Sequence, residues 1–197
     1  MICLISGLIP GTDPQKRKEA DKIWVAGTNR FYEPSLAELK TAAQLAQEGY
    51  LSSVEHMRIE DMDISEISRD NLAKLSSIVT SMLTIDNITP VSQLGPILAS
   101  FQSRWLRLYN MSLSEENTRA LVTAMKARLR NVYLDDVTLD PELLSAYDGQ
   151  GRCNRLGLSW SKYGAKDKYA ARLKRWAADR GWVVTQDNIV SLEMVRR

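Results

Sequence analysis

The stretch LRLYNMSLSEENTRALVTAMKARLRNVYLDDVTL (106–139) contains one full turn of the fold and the start of the next. It opens on a two-residue apolar alternation, Leu106 and Leu108, then turns at Asn110. A helical pattern follows. Ser114 stands at an N-cap, Glu115 and Glu116 complement the positive end of the helix, and Leu121, Met125 and Leu129 make one stripe. Twenty-six residues after its start the stretch meets a copy of its own opening, VYLDDVTL (132–139). An extended segment, a turn and a helix that recur at a fixed spacing mark a repeat.

Three further segments align outward from this pair: LTIDNITP (83–90), MRIEDMDI (57–64) and, in part, LGLSWSKY (156–163). From the N-terminus the successive starts are 26, 23, 26 and 24 residues apart. Four copies read apolar, any, Ile or Leu, any, Asp or Asn, then Met, Ile or Val; the fifth keeps the opening Leu-x-Leu. The connectors are helix-like. SRDNLAKLSSIV spaces Leu72, Leu75, Ile78 and Val79 helically, VSQLGPILASF is shortened by Gly95 and Pro96, and DPELLSAYDG starts with Asp140 before Pro141. Upstream, SLAELKTAAQLAQEG carries a capping box at Ser35 and Glu38 and stops at Gly49. KIWVAG (22–27) reads as another strand, and residues 1–21 as a first strand (CLIS) and a short helix begun by Asp13 and Pro14. Downstream, AKDKYAARLKRWAADRGW is a basic helix with Tyr169, Leu173 and Trp176 in a row, and WVVTQDNIVSLEMV supplies up to two terminal strands.

Units this short cannot bury their apolar faces alone. Stacked, each strand pairs in parallel with the next and the helices cover one side. The expected fold is α/β: a short curved solenoid with parallel strands on the concave side and helices on the convex side. Its expected parts are an N-terminal cap and first repeat (1–50), the repeats (51–163) and a C-terminal cap (164–197).

These segments resemble leucine-rich repeats of the ribonuclease-inhibitor-like class. The family pattern places Asn or Cys three residues after the second Leu, where this chain has Met62, Ile88, Met111 and Val137. An acid or amide sits one residue earlier instead, at Asp61, Asn87, Asn110 and Asp136, from where it can satisfy the turn backbone. The irregular array also resembles the recognition arrays of NOD-like immune receptors, which implies protein recognition of the kind used in innate immunity.

Composition narrows the function classes. The 197 residues are 44% apolar and 25% charged, and 26 Lys and Arg against 24 Asp and Glu leave a net +2. The charge is unevenly placed: residues 151–197 carry 11 basic and 4 acidic side chains. A regulatory or nucleic-acid-contacting role for that segment is the alternative function, although Asp167 and Asp179 interrupt its lysines. His56 is the one histidine, and no CxxC, phosphate-binding glycine loop or GxSxG elbow occurs. No enzyme activity, cofactor or metal is expected. Cys3 and Cys153 read as buried small hydrophobes, and ICLISGLI is too short to span a bilayer. Lacking a signal-peptide pattern, the chain is expected to be cytoplasmic or a fragment of a larger protein, with Asn87 and Asn110 unglycosylated despite their acceptor motifs.

With Met57, Leu83, Leu106, Val132 and Leu156 turned inward, the intervening residues face the other side of the sheet. The expected partner-binding residues there are Arg58, Trp105, Arg107, Tyr109, Asn131, Tyr133, Asp135 and Arg155. Trp, Tyr and Arg dominate interface energetics; aromatics also stack on neighbouring strands simply to shield a sheet, and both readings fit Trp105, Tyr109 and Tyr133. The expected partner is another protein. His56, with no second nitrogen ligand in reach of a metal, reads as a solvated strand histidine.

Overall fold

Each copy of the apolar alternation forms a strand. The structure is a computed structural model and describes residues 13–29, 32–75, 78–139, 147, 151–161, 167–188 and 190–196. In chain order these are α1 (Pro14–Ala26), α2 (Leu36–Gln47), β1 (Ser53–Glu60), α3 (Arg69–Leu75), β2 (Val79–Asp86), a 3-10 turn (Val91–Gln93) leading into α4 (Leu94–Ser100), β3 (Gln102–Ser112), α5 (Glu115–Ala127), β4 (Asn131–Thr138), β5 (Arg155–Ser159), α6 (Asp167–Asp179), β6 (Trp182–Asp187) and β7 (Ser191–Arg196). The strands make one seven-stranded sheet in the order β1-β2-β3-β4-β5-β7-β6. The first five are parallel, and β7 and β6 close the array antiparallel.

The alignment of the repeats in sequence is the register of the strands. Met57 pairs with Leu83, Leu83 with Leu106, Leu106 with Val132 and Val132 with Leu156, so the five opening residues form one row. Ile59, Ile85, Leu108, Leu134 and Leu158 form the next. Both rows are buried, and every described helix adds to the same continuous core, through residues such as Leu39, Leu72, Leu98, Leu121 and Leu173. One face of the sheet therefore carries the core, as a parallel sheet with apolar strand residues requires.

The repeated Asp or Asn has a conformational cause. Asp61, Asn87, Asn110 and Asp136 are the non-glycine residues with positive φ among those described, at 45°, 42°, 51° and 52°. Inward residues are two apart before this point (Met57, Ile59) and three apart across it (Ile59, Met62), and a left-handed residue absorbs that change of phase. Asn and Asp tolerate the conformation where bulkier residues do not. The side chains also bridge strands: Asn87 Nδ2 donates to Asp61 at 2.6 Å and Asn110 Nδ2 to Asp86 at 2.9 Å. Asn110→Val is expected to lower stability in chemical denaturation by about 2 kcal/mol, because a β-branched residue resists positive φ. Asn110→Gly, which meets the backbone demand and loses the hydrogen bond, is expected to lose about half as much. Equal losses would mean that the hydrogen bond, not the backbone, explains the repeat.

Helix ends follow the sequence signals. Ser35 and Glu38 form the capping box, and Ser114 accepts from the Asn117 amide. One reading is corrected: KIWVAG is not a strand. Asp13 caps a single helix with Pro14 in its first turn, and that helix runs on through Ala26. Only Ala20 and Ile23 are buried, one helical turn apart, while Trp24 and Val25 stay exposed. A strand would have buried alternate residues, so Lys22, Trp24 and Ala26 do not join the sheet face. Gly27 ends the helix against β1, where its carbonyl accepts from His56 N at 2.8 Å, and an added Cβ would fall 2.0 Å from Val54 Cγ1. The expected CLIS strand and Cys3, most of the DPELLSAYDG connector and the start of the basic helix lie outside the described residues.

At the C-terminal end Tyr147, Trp176 and Trp182 form an aromatic cluster, with centroid distances of 6.2, 6.2 and 5.5 Å. Trp176 Nε1 donates to the Tyr147 carbonyl at 3.1 Å, and the Tyr147 hydroxyl donates to that of Cys153 at 3.2 Å. Cys153 is fully buried, which pushes its thiol up to about 12. Cations of α6 and of the turn after it take part in this cap: Lys174 pairs with Asp187, and Arg180 lies 5.6 Å over the Trp176 ring.

Candidate functional site: the helix-free face of the sheet

The residues between the core rows stand on the opposite face, and the same register orders them. His56, Met82, Trp105, Asn131 and Arg155 form a row at the N-terminal ends of the strands. Arg58, Thr84, Arg107, Tyr133 and Gly157 form the middle row, and Glu60, Asp86, Tyr109, Asp135 and Ser159 the row at the C-terminal ends. All eight residues read as partner-binding thus stand on one face.

Contacts join five of them, Trp105, Arg107, Tyr109, Tyr133 and Arg155, around the Tyr133 ring. Its ring is 6.5 Å from that of Trp105, tilted by 40°, and the Arg107 guanidinium lies 5.2 Å over its centroid. Arg107 Nη1 donates to the Tyr109 hydroxyl at 3.4 Å, and Arg155 Nη1 donates to the Tyr133 hydroxyl at 3.5 Å. Arg155 also pairs with Glu193 of β7 at 3.2 Å. Trp105, 37% exposed, is the most open member. Asn131 lies half-buried beside it, and Asp135 accepts from the Ser159 hydroxyl.

Arg58 stands apart at the β1 edge. Its Nε is 2.6 Å from Glu60 and 3.4 Å from Glu33, and its Nη2 is 3.6 Å from Asp86. One guanidinium thus faces three carboxylates. The Arg58 hydrogen bond is the main cause holding Glu60 below the usual carboxylate range, and a hydrogen bond shared with Glu60 holds Glu33 above it. Glu33 is absent from the sequence reading: it precedes the cap of α2, outside any repeat, and only packing brings it to the sheet.

Two depressions lie on this face, and Trp105 lines one of them. One, of about 300 Å³, is lined by His56, Ser81, Met82 and Trp105. The other, of about 560 Å³, lies over Arg107, Tyr109, Tyr133, Asp135, Ser159 and neighbouring turn residues. His56 is half-buried rather than solvated. Its Nδ1 is buried without a hydrogen-bond partner, and its Nε2 lies 3.6 Å from Glu55. Among the described residues no three of His, Cys, Asp and Glu are placed to hold a metal ion. The chemistry this surface offers is stacking, ion pairing and shape.

Gly157 holds the Tyr133 ring in place by having no side chain; a Cβ there would stand 2.7 Å from Tyr133 Cδ1. The sequence shows only that LGLSWSKY has glycine where other repeats have side chains. Gly157→Ala is expected to shift the ring off Arg107 at a cost of about 1 kcal/mol, read as a thermal shift with a changed near-ultraviolet circular dichroism spectrum. An unchanged spectrum would place the ring elsewhere.

No helix among the described residues is long and apolar enough to cross a membrane. Comparison with protein-family models, with curated proteins and with solved structures finds no match in any of the three.

Proposed function

We propose that this chain is a solenoid of the leucine-rich-repeat kind whose helix-free sheet face, curved inward, binds another protein. The observation that carries the reading is the stack of Trp105, Arg107 and Tyr133 across two adjacent strands, with Trp105 open to solvent on a face to which no described helix contributes. Tryptophan and tyrosine combine large contact area with few lost rotamers, arginine adds a planar fork of donors, and all three concentrate binding energy where water is excluded. A catalytic role would need a nucleophile and base in reach of each other, and a phosphate-binding role would need cations free of carboxylates. Arg58 is instead ringed by carboxylates, and Arg107 rests on an aromatic ring. Immobilised protein is expected to capture its partner from the native source, and the double variant Trp105→Ala with Tyr133→Ala to fail. Equal capture by the two proteins would sink the reading and move attention to the basic C-terminal segment.

A further inference from the structure

Charge on the helix-free face is graded along the strands. The border at the C-terminal strand ends carries Glu60, Asp86 and Asp135 in the paired row, Asp61 and Asp136 in the turns just beyond, and Glu33 beside them. Among the described residues Arg58 is the cation that ion-pairs with this border; Arg155 is paired with Glu193, and Arg107 stacks on Tyr133. Glu60 and Asp86 stand directly opposite each other on neighbouring strands, and the Arg58 guanidinium pairs with both. Not every repeat carries a charge at these positions. Asn87 and Asn110 fill the same left-handed position as Asp61 and Asp136 with no charge, and Tyr109 and Ser159 occupy the same row as Glu60.

Resting on the reading that this face binds protein, we infer that the partner is a cationic segment. Its Lys or Arg side chains lie along the C-terminal border of the strands, and one apolar side chain is seated in the depression formed by His56, Ser81, Met82 and Trp105. The carboxylates suit a row of side chains rather than a point ion. They spread over three strand spacings, about 14 Å, and among the described residues no three of them are placed to hold a metal ion. Four residues of strand, about 13 Å, separate the Trp105 row from the Glu60 row, so the apolar anchor precedes or follows the first cation by about four extended residues. The depression of about 300 Å³ accepts one side chain of that kind.

An array of random dodecapeptides probed with the full chain tests this. Bound peptides are expected to be enriched in Lys and Arg about four positions from an apolar residue. Their affinity should fall roughly tenfold between 50 and 300 mM salt, as screened charge pairs do. The double variant Asp61→Asn with Asp136→Asn puts at each turn the residue that the neighbouring repeats already use, so the fold is kept while two charges go. It is expected to weaken the same peptides about threefold or more and to erase much of the cationic enrichment. Binders that depend on Trp105 yet show no cationic enrichment, or that ignore the Asn variant, overturn the cationic partner and leave the protein-binding face standing. An array without binders, or with binders indifferent to both Trp105→Ala and the Asn variant, overturns both.

Discussion

Alanine at Trp105 and Tyr133 together is expected to weaken the partner complex by at least about 2 kcal/mol, roughly thirtyfold in Kd, measured by titration calorimetry with purified components. The loss is large because the two rings act as a unit. They stack on each other, and the one on β4 holds Arg107, so removing both also frees the guanidinium. Stability should fall by only about 1 kcal/mol, the usual worth of an aromatic pair beyond its area, because both side chains stand away from the core. Leu106 and Val132 set the contrast. They neighbour these residues in the chain, point the other way and are buried, so Leu106→Ala is expected to cost about 3 kcal/mol of stability. The alternation reverses within one residue. A double variant that unfolds would make the aromatics structural; one that folds and still binds at full strength would place the contact elsewhere.

Deletion of residues 165–197 is expected to abolish cooperative unfolding and drive the protein into aggregates. A stacked array exposes a core edge after its last unit, and something must cover it. Here β7 pairs antiparallel along β5, burying Leu192 and Met194 beside Leu158 and Leu156, while α6 lays Leu173, Trp176 and Ala177 over the end of the core. Trp182 completes the aromatic cluster around Tyr147. Each large side chain contributes about 2 kcal/mol on burial, and losing Leu173, Trp176, Trp182, Leu192 and Met194 together removes about 10 kcal/mol, comparable to the 5–15 kcal/mol that holds a typical domain. A free parallel edge at β5 would add unpaired backbone groups, the usual template for aggregation. Trp182→Ala alone, leaving the rest in place, is expected to cost about 4 kcal/mol in chemical denaturation. A soluble truncation with an unchanged Tm would show that the array closes by other means.

The strand register was readable because one physical rule runs through all five repeats. An apolar alternation of period two, anchored by Leu-x-Leu, has a single phase that buries both rows, so aligning the copies aligns the strands. The helix starts were readable for a similar reason: Asp13-Pro14, the Ser35–Glu38 box and Ser114 each satisfy amides that would otherwise lack partners. KIWVAG misleads because a short apolar run has no period of its own; the Asp13 cap nine residues upstream decides it, by letting the helix propagate.

By itself, then, the sequence determined the α/β class, the parallel pairing of five strands, which residues face the core, and the composition of the opposite face. These are local properties, set by side-chain period and capping, and they survive without knowledge of distant contacts. The tertiary structure alone decided that Asp61, Asn87, Asn110 and Asp136 are left-handed, that Glu33 reaches Arg58, that Gly157 makes room for Tyr133, and that Trp105 lines a depression with His56, Ser81 and Met82. Each of these depends on a neighbour 20 or more residues away, or on a backbone angle that a residue type permits but does not require. Chain letters record what a residue can do; only packing against another strand selects which of those things it does.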